Sequence, residues 1–406
     1  MALRISTSAI FAVGTTKLNT LQAQMAKTQQ QLSSNRRVLT AADDPIASAR
    51  ALEVTQSQSM NSQFGTNRTN AKTSLSLVEN ALDDATNLLE DVQTLTVQAG
   101  NGTLSDTERG MLATELEARM TDLLGVANKA DGTGAYLFSG YKTTTMPFVQ
   151  TSTGATYQGD QGQRVLKVGA IRNMAISETG SNVFENIPTG NGSFQVSPGS
   201  ANQGSAVAST YSVTDSSQLT GHNYSLKFQV TGSPAVTTYT VTDASSNTAV
   251  STGTYTAGQP ITFGGMSMKI DGAPADGDSM DVQPSSKQSL FTTLTNLIGA
   301  LRTPTDTPAG KALMSNGVSM AGANLGQALD NILSVRASVG SRLKELDYLD
   351  SSGQDLDIQY QTTLSGLQDL DMAKAISLFT QQQQTLQAAQ MSFKTMSGLS
   401  LFNYIS

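Results

Sequence analysis

Two adjacent carboxylates, Asp43 and Asp44, precede Pro45 in the segment LTAADDPIASARAL, and paired carboxylates can serve as a general acid and base. Two catalytic carboxylates must face each other across a substrate, which neighbours in sequence rarely do. The same residues suit a helix start, because the Asp44 side chain can accept from free backbone N–H groups and Pro45 needs no N–H at the first helical position. We therefore predict that Asp44 and Pro45 form a helix cap, with Asp43 near the positive end of the helix dipole.

The other residues that could do chemistry are isolated. His222 is the only histidine, so no second histidine completes a zinc or nucleophile site. The acidic string DGAPADGDSMD contains Asp276, Asp278 and Asp281, but its spacing differs from an EF-hand loop and no glutamate closes it. Cysteine is absent, which excludes thiolate nucleophiles and disulfides. We predict no catalytic residues, no metal site, no cofactor and no enzymatic activity.

Length and charge exclude further classes of protein. A chain of 406 residues is long enough for two or three domains. The formal net charge of −7 works against binding the phosphates of nucleic acid, and no apolar run approaches the ~18 residues of a membrane span. The start, MALRISTSAIFAVGTT, offers little resembling a cleaved signal peptide, so we expect none.

Apolar residues recur at alternating steps of three and four near both ends of the chain, which is the pattern of a coiled-coil seam. A second helix is predicted from Pro45 to about residue 99, and a third is capped by Ser105 or Asp106. The C-terminal pattern is interrupted at Arg342 and Gly353. Exposed seams must be covered, so the ends either pair within one molecule as an antiparallel coiled coil or stay partly disordered until neighbouring subunits supply a partner. The residues predicted to lie in the assembly interface are Leu18, Leu21, Met25, Leu32, Leu386, Phe393, Met396, Leu401 and Phe402.

The middle of the chain predicts strands. Between about residues 132 and 285, Gly, Thr, Ser and Val dominate, and YSLKFQV and TTYTVT alternate apolar and polar residues. The predicted class is therefore α+β, with long helical N- and C-terminal regions packed together and enclosing an inserted antiparallel β-rich domain. The predicted limits are 1–44 for an N-terminal assembly helix, 45–134 and 286–365 for a helical domain, 135–190 for a first β unit, 191–285 for a β insertion and 366–406 for a C-terminal assembly helix.

Several of these segments resemble the bacterial flagellin superfamily. LSSNRRVLTAADDPIASARAL, followed by RTNAKTSLSLVENALDDATNLLEDVQTLTVQAGNGTLSDTER, is similar to the N-terminal region of flagellins and their relatives, and the end from NILSVRASVGSRLKELD to SLFNYIS is similar to the C-terminal coil. AYLFSGYKTTTMPF, the ending SLFNYIS and the proline after the acid pair resemble the hook-filament junction proteins more than flagellin itself. The resemblance covers about residues 1–190 and 285–406, and the β insertion between them looks like an addition.

The resemblance implies a structural protein of the extracellular bacterial flagellum that joins the hook to the filament. It also implies export by the flagellar type III apparatus without a cleaved signal, with no catalytic residues to transfer. The implied partners are other copies in a ring, the preceding hook-associated protein, flagellin and an export chaperone, but neither nucleic acid nor membrane. The alternatives are a flagellin, a glycan-binding or adhesive β domain on a helical stalk, or a β-domain hydrolase with a buried carboxylate pair of raised pKa.

Overall fold

The computed structural model describes residues 7–398, and the chain forms two compact units. Unit 1 comprises residues 1–66 and 349–406, and unit 2 comprises residues 67–348. Both boundaries fall inside long helices rather than at helix ends. The α-helices are α1 (Thr7–Ser34), α2 (Pro45–Ala99), α3 (Asp106–Ala127), α4 (Leu290–Leu301), α5 (Pro308–Gln368) and α6 (Met372–Gly398).

The strands all lie in unit 2, between α3 and α4. They are β1 (Phe148–Thr151), β2 (Gly154–Tyr157), β3 (Val165–Lys167), β4 (Asn173–Ala175), β5 (Ile187–Pro188), β6 (Phe194–Pro198), β7 (Val207–Val213), β8 (Tyr224–Thr231), β9 (Val236–Asp243), β10 (Thr248–Thr254), β11 (Pro260–Phe263), β12 (Met266–Asp271), β13 (Ser279–Pro284) and β14 (Lys287–Gln288). This arrangement confirms the predicted α+β class with antiparallel strands enclosed in sequence by helical ends.

Local sequence explains the start of α3. Ser105 accepts a hydrogen bond from the Glu108 N–H, and the Glu108 carboxylate accepts from the Ser105 N–H, so two free donors of the first turn are satisfied reciprocally. Of the two caps that the sequence allowed, Ser105 is therefore the one used. The helix buries Leu112, Leu116 and Leu123 within unit 2.

The insertion forms two sheets around one apolar core. A five-stranded sheet has the order β10-β9-β8-β13-β6, and a three-stranded sheet has the order β11-β12-β7. Alternate residues of β8 point inward, as the pattern YSLKFQV predicts, so Tyr224, Leu226 and Phe228 are buried. Tyr224 pairs with Asp243 on β9 and with Val282 on β13, which fixes the register of the central strands.

The insertion joins the rest of unit 2 through a short two-stranded stalk. β5 and β14 pair antiparallel just outside the insertion, with Ile187 opposite Gln288. The Thr189 N–H donates to the Ser286 carbonyl at 2.9 Å, and the Ser285 N–H donates to the Ser193 carbonyl at 2.9 Å. The chain therefore enters and leaves the insertion at one place. Among the described residues, no helix is both long and apolar enough to cross a membrane.

Candidate assembly surface

Helices α1 and α6 form the seam of unit 1. The Phe11 ring lies against the Phe393 ring at one end, and the Leu370 N–H donates to the Asn35 carbonyl just beyond the other end, so the two helices run antiparallel. The heptads allow either pairing within one molecule or pairing with neighbouring subunits, and in this structure α1 and α6 pair within one molecule.

The predicted interface residues differ in how much this pairing covers them. Leu386 is buried, with 7% of its surface exposed. A larger group is only partly covered, and it consists of Leu18, Leu21, Met25, Leu32 and Phe393. Met396 is exposed, and Leu401 and Phe402 lie outside the described residues. Most of these side chains therefore contribute to the intramolecular seam and retain surface that a neighbouring subunit could cover.

Glycine at position 14 allows the close approach of α1 and α6. A Cβ atom there would lie 2.8 Å from the Cδ2 and Cε2 atoms of the Phe393 ring, closer than real contacts allow. The same ring meets Phe11 edge-on, with the ring centroids 5.1 Å apart. Phe393 is thus a seam residue within one chain as well as a candidate for contact between chains.

A second set of apolar side chains on these helices points to solvent. Val13 on α1 is 69% exposed and Ile376 on α6 is 53% exposed. The exposed large apolar residues of the pair are Ile10, Phe11, Val13, Met372, Ile376, Leu378, Met391 and Met396. Single exposed apolar residues are ordinary on a surface, but eight on two packed helices leave apolar area that contact with other proteins could cover.

The break between α1 and α2 lies beside the break between α5 and α6. α1 ends at Ser34 and α5 ends at Gln368, and the segments that follow make a short antiparallel bridge between Arg36 and Asp369. The Arg37 N–H donates to the Gln368 carbonyl at 2.7 Å, and the Arg37 guanidinium donates to the Leu367 carbonyl at 2.7 Å. These bonds satisfy carbonyl groups that the C-terminal end of α5 would otherwise leave unpaired.

The carboxylate pair belongs to this corner of unit 1. The Asp44 carboxylate accepts from the Ala47 N–H at 3.0 Å, and α2 begins at Pro45. The Asp43 carboxylate accepts from the Lys27 ammonium at 2.6 Å and from the Thr40 N–H at 2.8 Å. The hydrogen bond from Lys27, followed by that from Thr40, lowers the pKa of Asp43 to about 2, and the Ala47 N–H lowers the pKa of Asp44. Hydrogen-bond donors therefore keep both carboxylates ionised, and both carboxylates have a structural role at the start of α2.

The other candidate chemical groups are also held by local structure. His222 Nδ1 lies 2.7 Å from the Asp243 carboxylate, and this contact lowers the pKa of Asp243. The Asp278 carboxylate accepts from the N–H groups of Gln203, Gly204 and Ala275 at 2.8–2.9 Å. These three donors hold the Asp278 carboxylate in place within its own loop.

Neither a cluster of metal ligands nor a β-region carboxyl group of raised pKa is found among the described residues. Residues 7–398 contain no cluster of three or more His, Asp or Glu side chains that could hold a metal ion. The β-region carboxyl groups whose pKa departs from its ordinary value, Asp160, Asp215 and Asp243, all have a lowered pKa because hydrogen-bond donors hold them. The raised carboxyl pKa that the hydrolase alternative calls for is therefore not observed there.

The two residues that interrupt the C-terminal seam have partners far away in sequence. The Arg342 guanidinium pairs with the buried Glu178 carboxylate and donates to the Ala175 carbonyl at 3.1 Å, which accounts for a charged residue at that position. The Gly353 carbonyl accepts from the Asn61 side-chain amide at 2.7 Å. The sequence does not identify either partner, although an arginine within an apolar stripe indicates that an acidic group lies nearby.

Comparison with known families agrees with the arrangement of these elements. Residues 5–143 match the family described as the bacterial flagellin N-terminal helical region. Residues 198–284 match the D2-like domain of flagellar hook-associated protein 1, and this range contains every strand of the two sheets of the insertion except β6.

Solved structures with similar sequences share the fold. FlgL from Xanthomonas campestris is 34% identical with a TM-score of 0.71, and the match covers 77% of this chain and 99% of that chain. The flagellar junction protein FlgL from Legionella pneumophila is 32% identical with a TM-score of 0.72, covering 79% of this chain and 100% of that chain.

Curated relatives match over nearly the whole length. Flagellar hook-associated protein 3 of Salmonella typhimurium is 30% identical over 401 residues, covering 98% of this chain and 99% of the relative. The protein of the same name from Escherichia coli is also 30% identical over the same shares. Phase 1 flagellin of Salmonella naestved, by contrast, is 29% identical over only 34% of this chain. The full-length similarity shows that this chain belongs to the flagellar hook-associated protein 3 family.

Proposed function

We propose that this protein is a structural subunit of the bacterial flagellum that joins the hook to the filament. The observation that carries the proposal is the 30% identity to flagellar hook-associated protein 3 over 98% of the chain. The 32% identity to the flagellar junction protein from Legionella pneumophila supports the same role. Flagellin remains the alternative within this superfamily, but phase 1 flagellin of Salmonella naestved matches only 34% of the chain.

The physical basis of the role is an adaptor whose ends resemble its neighbours. The α1 and α6 pair carries exposed apolar side chains, including Val13 and Ile376, that neighbouring subunits would bury. Helices of the flagellin type would let one side of a ring of these subunits contact the preceding hook-associated protein and the other side receive flagellin. The interface would combine the partly covered seam residues Leu18, Leu21 and Met25 with these exposed apolar side chains of α1 and α6.

Location and delivery follow from the same proposal. The subunit would act outside the cell, leave it through the flagellar type III apparatus without a cleaved signal, and travel with an export chaperone. It would need no cofactor and catalyse no reaction, because a junction requires only contact surfaces. Neither nucleic acid nor membrane is a proposed partner.

The test is a strain that lacks this gene, scored for filaments and for flagellin in the medium. A junction protein predicts that filaments are missing while flagellin accumulates in the medium, because export works without a platform for filament growth. If flagellin is absent both from the cell surface and from the medium, the chain is the flagellin itself. Unaltered filaments would reject both assignments.

A further inference from the structure

Helix α5 contains three asparagines, and all three bind the backbone of the β region. Asn316, Asn324 and Asn331 are separated by eight and seven residues, so they lie on one face of the helix. Asn316 and Asn324 are 4% and 5% exposed. Asparagine is a poor residue for a helix interior, so three of them on one face need a reason other than helix formation.

Asn316 binds the edge of the insertion as a neighbouring strand would. Its side-chain oxygen accepts from the Ala208 N–H at 2.9 Å, and its amide nitrogen donates to the Ala206 carbonyl at 3.0 Å. These two groups flank Val207, and one amide bonding to both repeats the pairing of adjacent parallel strands. β7 is an edge strand of the three-stranded sheet, so the Asn316 amide occupies part of an edge that has no strand beside it.

The other two asparagines hold the parts of the chain nearest the stalk. The Asn324 side-chain oxygen accepts from the Gly190 N–H at 2.6 Å, at a residue whose φ of 63° lies in the left-handed region. The Asn331 amide donates to the carbonyls of Asn182 and Val183 at 2.9 and 3.0 Å. The asparagines therefore bind backbone before, at and beyond the point where the chain enters the insertion.

The placement of these bonds has a mechanical consequence. The chain crosses between the insertion and the rest of unit 2 only at the β5 and β14 stalk. A stalk of two such short strands would by itself allow the insertion to rotate about the axis of the stalk. Asn316 supplies a contact to the insertion away from the stalk, and that contact opposes rotation.

We propose that Asn316, Asn324 and Asn331 are positioning residues that fix the β insertion on α5, with Asn316 occupying the edge of β7 at its first residue. The insertion is then a rigid part of the subunit and not a tethered domain. The inference concerns the insertion alone and holds whether or not the chain is the junction subunit.

The test compares Asn316→Leu with Asn87→Leu, which makes the same change at an exposed position of α2. Because the chain has no cysteine, Ala249→Cys on β10 and Lys344→Cys on α5 allow clean spin labelling of the full chain. One readout is the width of the distance distribution between the two labels. The other is the hydrogen exchange rate of the Ala208 amide relative to the Gly258 amide, which donates to the Ile270 carbonyl in the same insertion.

Asn316→Leu should broaden the distance distribution and speed exchange at Ala208 about tenfold or more, because it removes the acceptor of that N–H. Exchange at Gly258 and both readouts in Asn87→Leu should stay at the original values. A narrow distribution with unchanged exchange at Ala208 in folded Asn316→Leu would overturn the proposal.

If Asn316→Leu does not fold, Asn316→Asp decides the matter. That variant keeps an acceptor for the Ala208 N–H but sets a carboxylate against the Ala206 and Ala312 carbonyls, which the amide now binds as a donor. It should broaden the distance distribution, and an unchanged distribution would contradict the proposal.

Discussion

Val13 on α1 and Ile376 on α6 give the sharpest test of assembly, because these exposed apolar side chains can be changed without altering the seam inside each subunit. Val13 is 69% exposed and Ile376 is 53% exposed, whereas full burial of such a side chain contributes about 1.5–3 kcal/mol. Burying the exposed parts in a subunit contact would contribute about 1–2 kcal/mol at Val13 and about 0.8–1.6 kcal/mol at Ile376. Replacing both with aspartate removes about 1.8–3.6 kcal/mol in total and should therefore weaken association by roughly 20- to 400-fold, since about 1.4 kcal/mol corresponds to a factor of ten.

The same double variant should leave the free subunit folded. Surface substitutions away from packed features usually change the free energy of unfolding by less than about 0.5 kcal/mol. Leu386→Ala is the contrasting variant, since it empties a buried seam position and should cost the free subunit about 2–5 kcal/mol. Gln22→Asp on α1 is the charge control, because it adds an aspartate at an exposed polar position without removing apolar surface.

The assays are urea unfolding followed by circular dichroism, and filament formation in the deletion strain carrying each variant. Blotting the medium shows that each variant is still exported. Val13→Asp with Ile376→Asp should unfold like the original protein and fail to support filaments, while Gln22→Asp should support them. Normal filaments with the double variant, or a loss of subunit stability as large as that of Leu386→Ala, would refute the assignment of these two residues to the assembly surface.

Three further predictions concern stability. Ser105→Ala should lower the free energy of unfolding of unit 2 by about 1 kcal/mol in urea titrations, because it removes the capping box of α3, and Ser105→Asp should restore most of it. Arg342→Met should cost about 3 kcal/mol in the same titrations, because it leaves the carboxylate of Glu178, which is 3% exposed, without its counter-ion; a neutral result would show that the pair is dispensable. The pKa of Asp43 is lowered to about 2 in the folded state, so the stabilisation from this group is present above the unfolded value of 3.8 and is lost as the pH falls towards 2. Burial raises the pKa of Tyr157 to about 12, so the contribution of this group is lost as the pH rises from 10 to 12. In a profile of melting temperature against pH, Asp43→Asn should flatten the acid limb and Tyr157→Phe should flatten the alkaline limb.

Much of the helical architecture could be predicted from local sequence. Asp44 followed by Pro45 and the Ser105 to Glu108 box predict helix starts because capping depends on residues within one turn. The three-and-four spacing predicts the buried face of the helical ends, and the alternation in YSLKFQV predicts the inward residues of β8. Each of these features depends on side-chain periodicity and on neighbours in the chain. The sequence also indicated the family, because the segments around Asp44 and near both ends of the chain resemble those of the flagellin superfamily.

Only the tertiary structure decided which distant groups meet. The partner of Phe393 is Phe11, and that of Arg342 is Glu178. The sheet order β10-β9-β8-β13-β6 likewise depends on strands that are not consecutive in sequence. The three asparagines of α5 carry no local signal beyond their poor helix propensity. Their side chains bond to backbone groups, and because nearly every residue has the same backbone groups, the sequence does not show which ones they bind. Periodicity shows that a residue needs a partner, whereas the identity of that partner depends on how the whole chain packs.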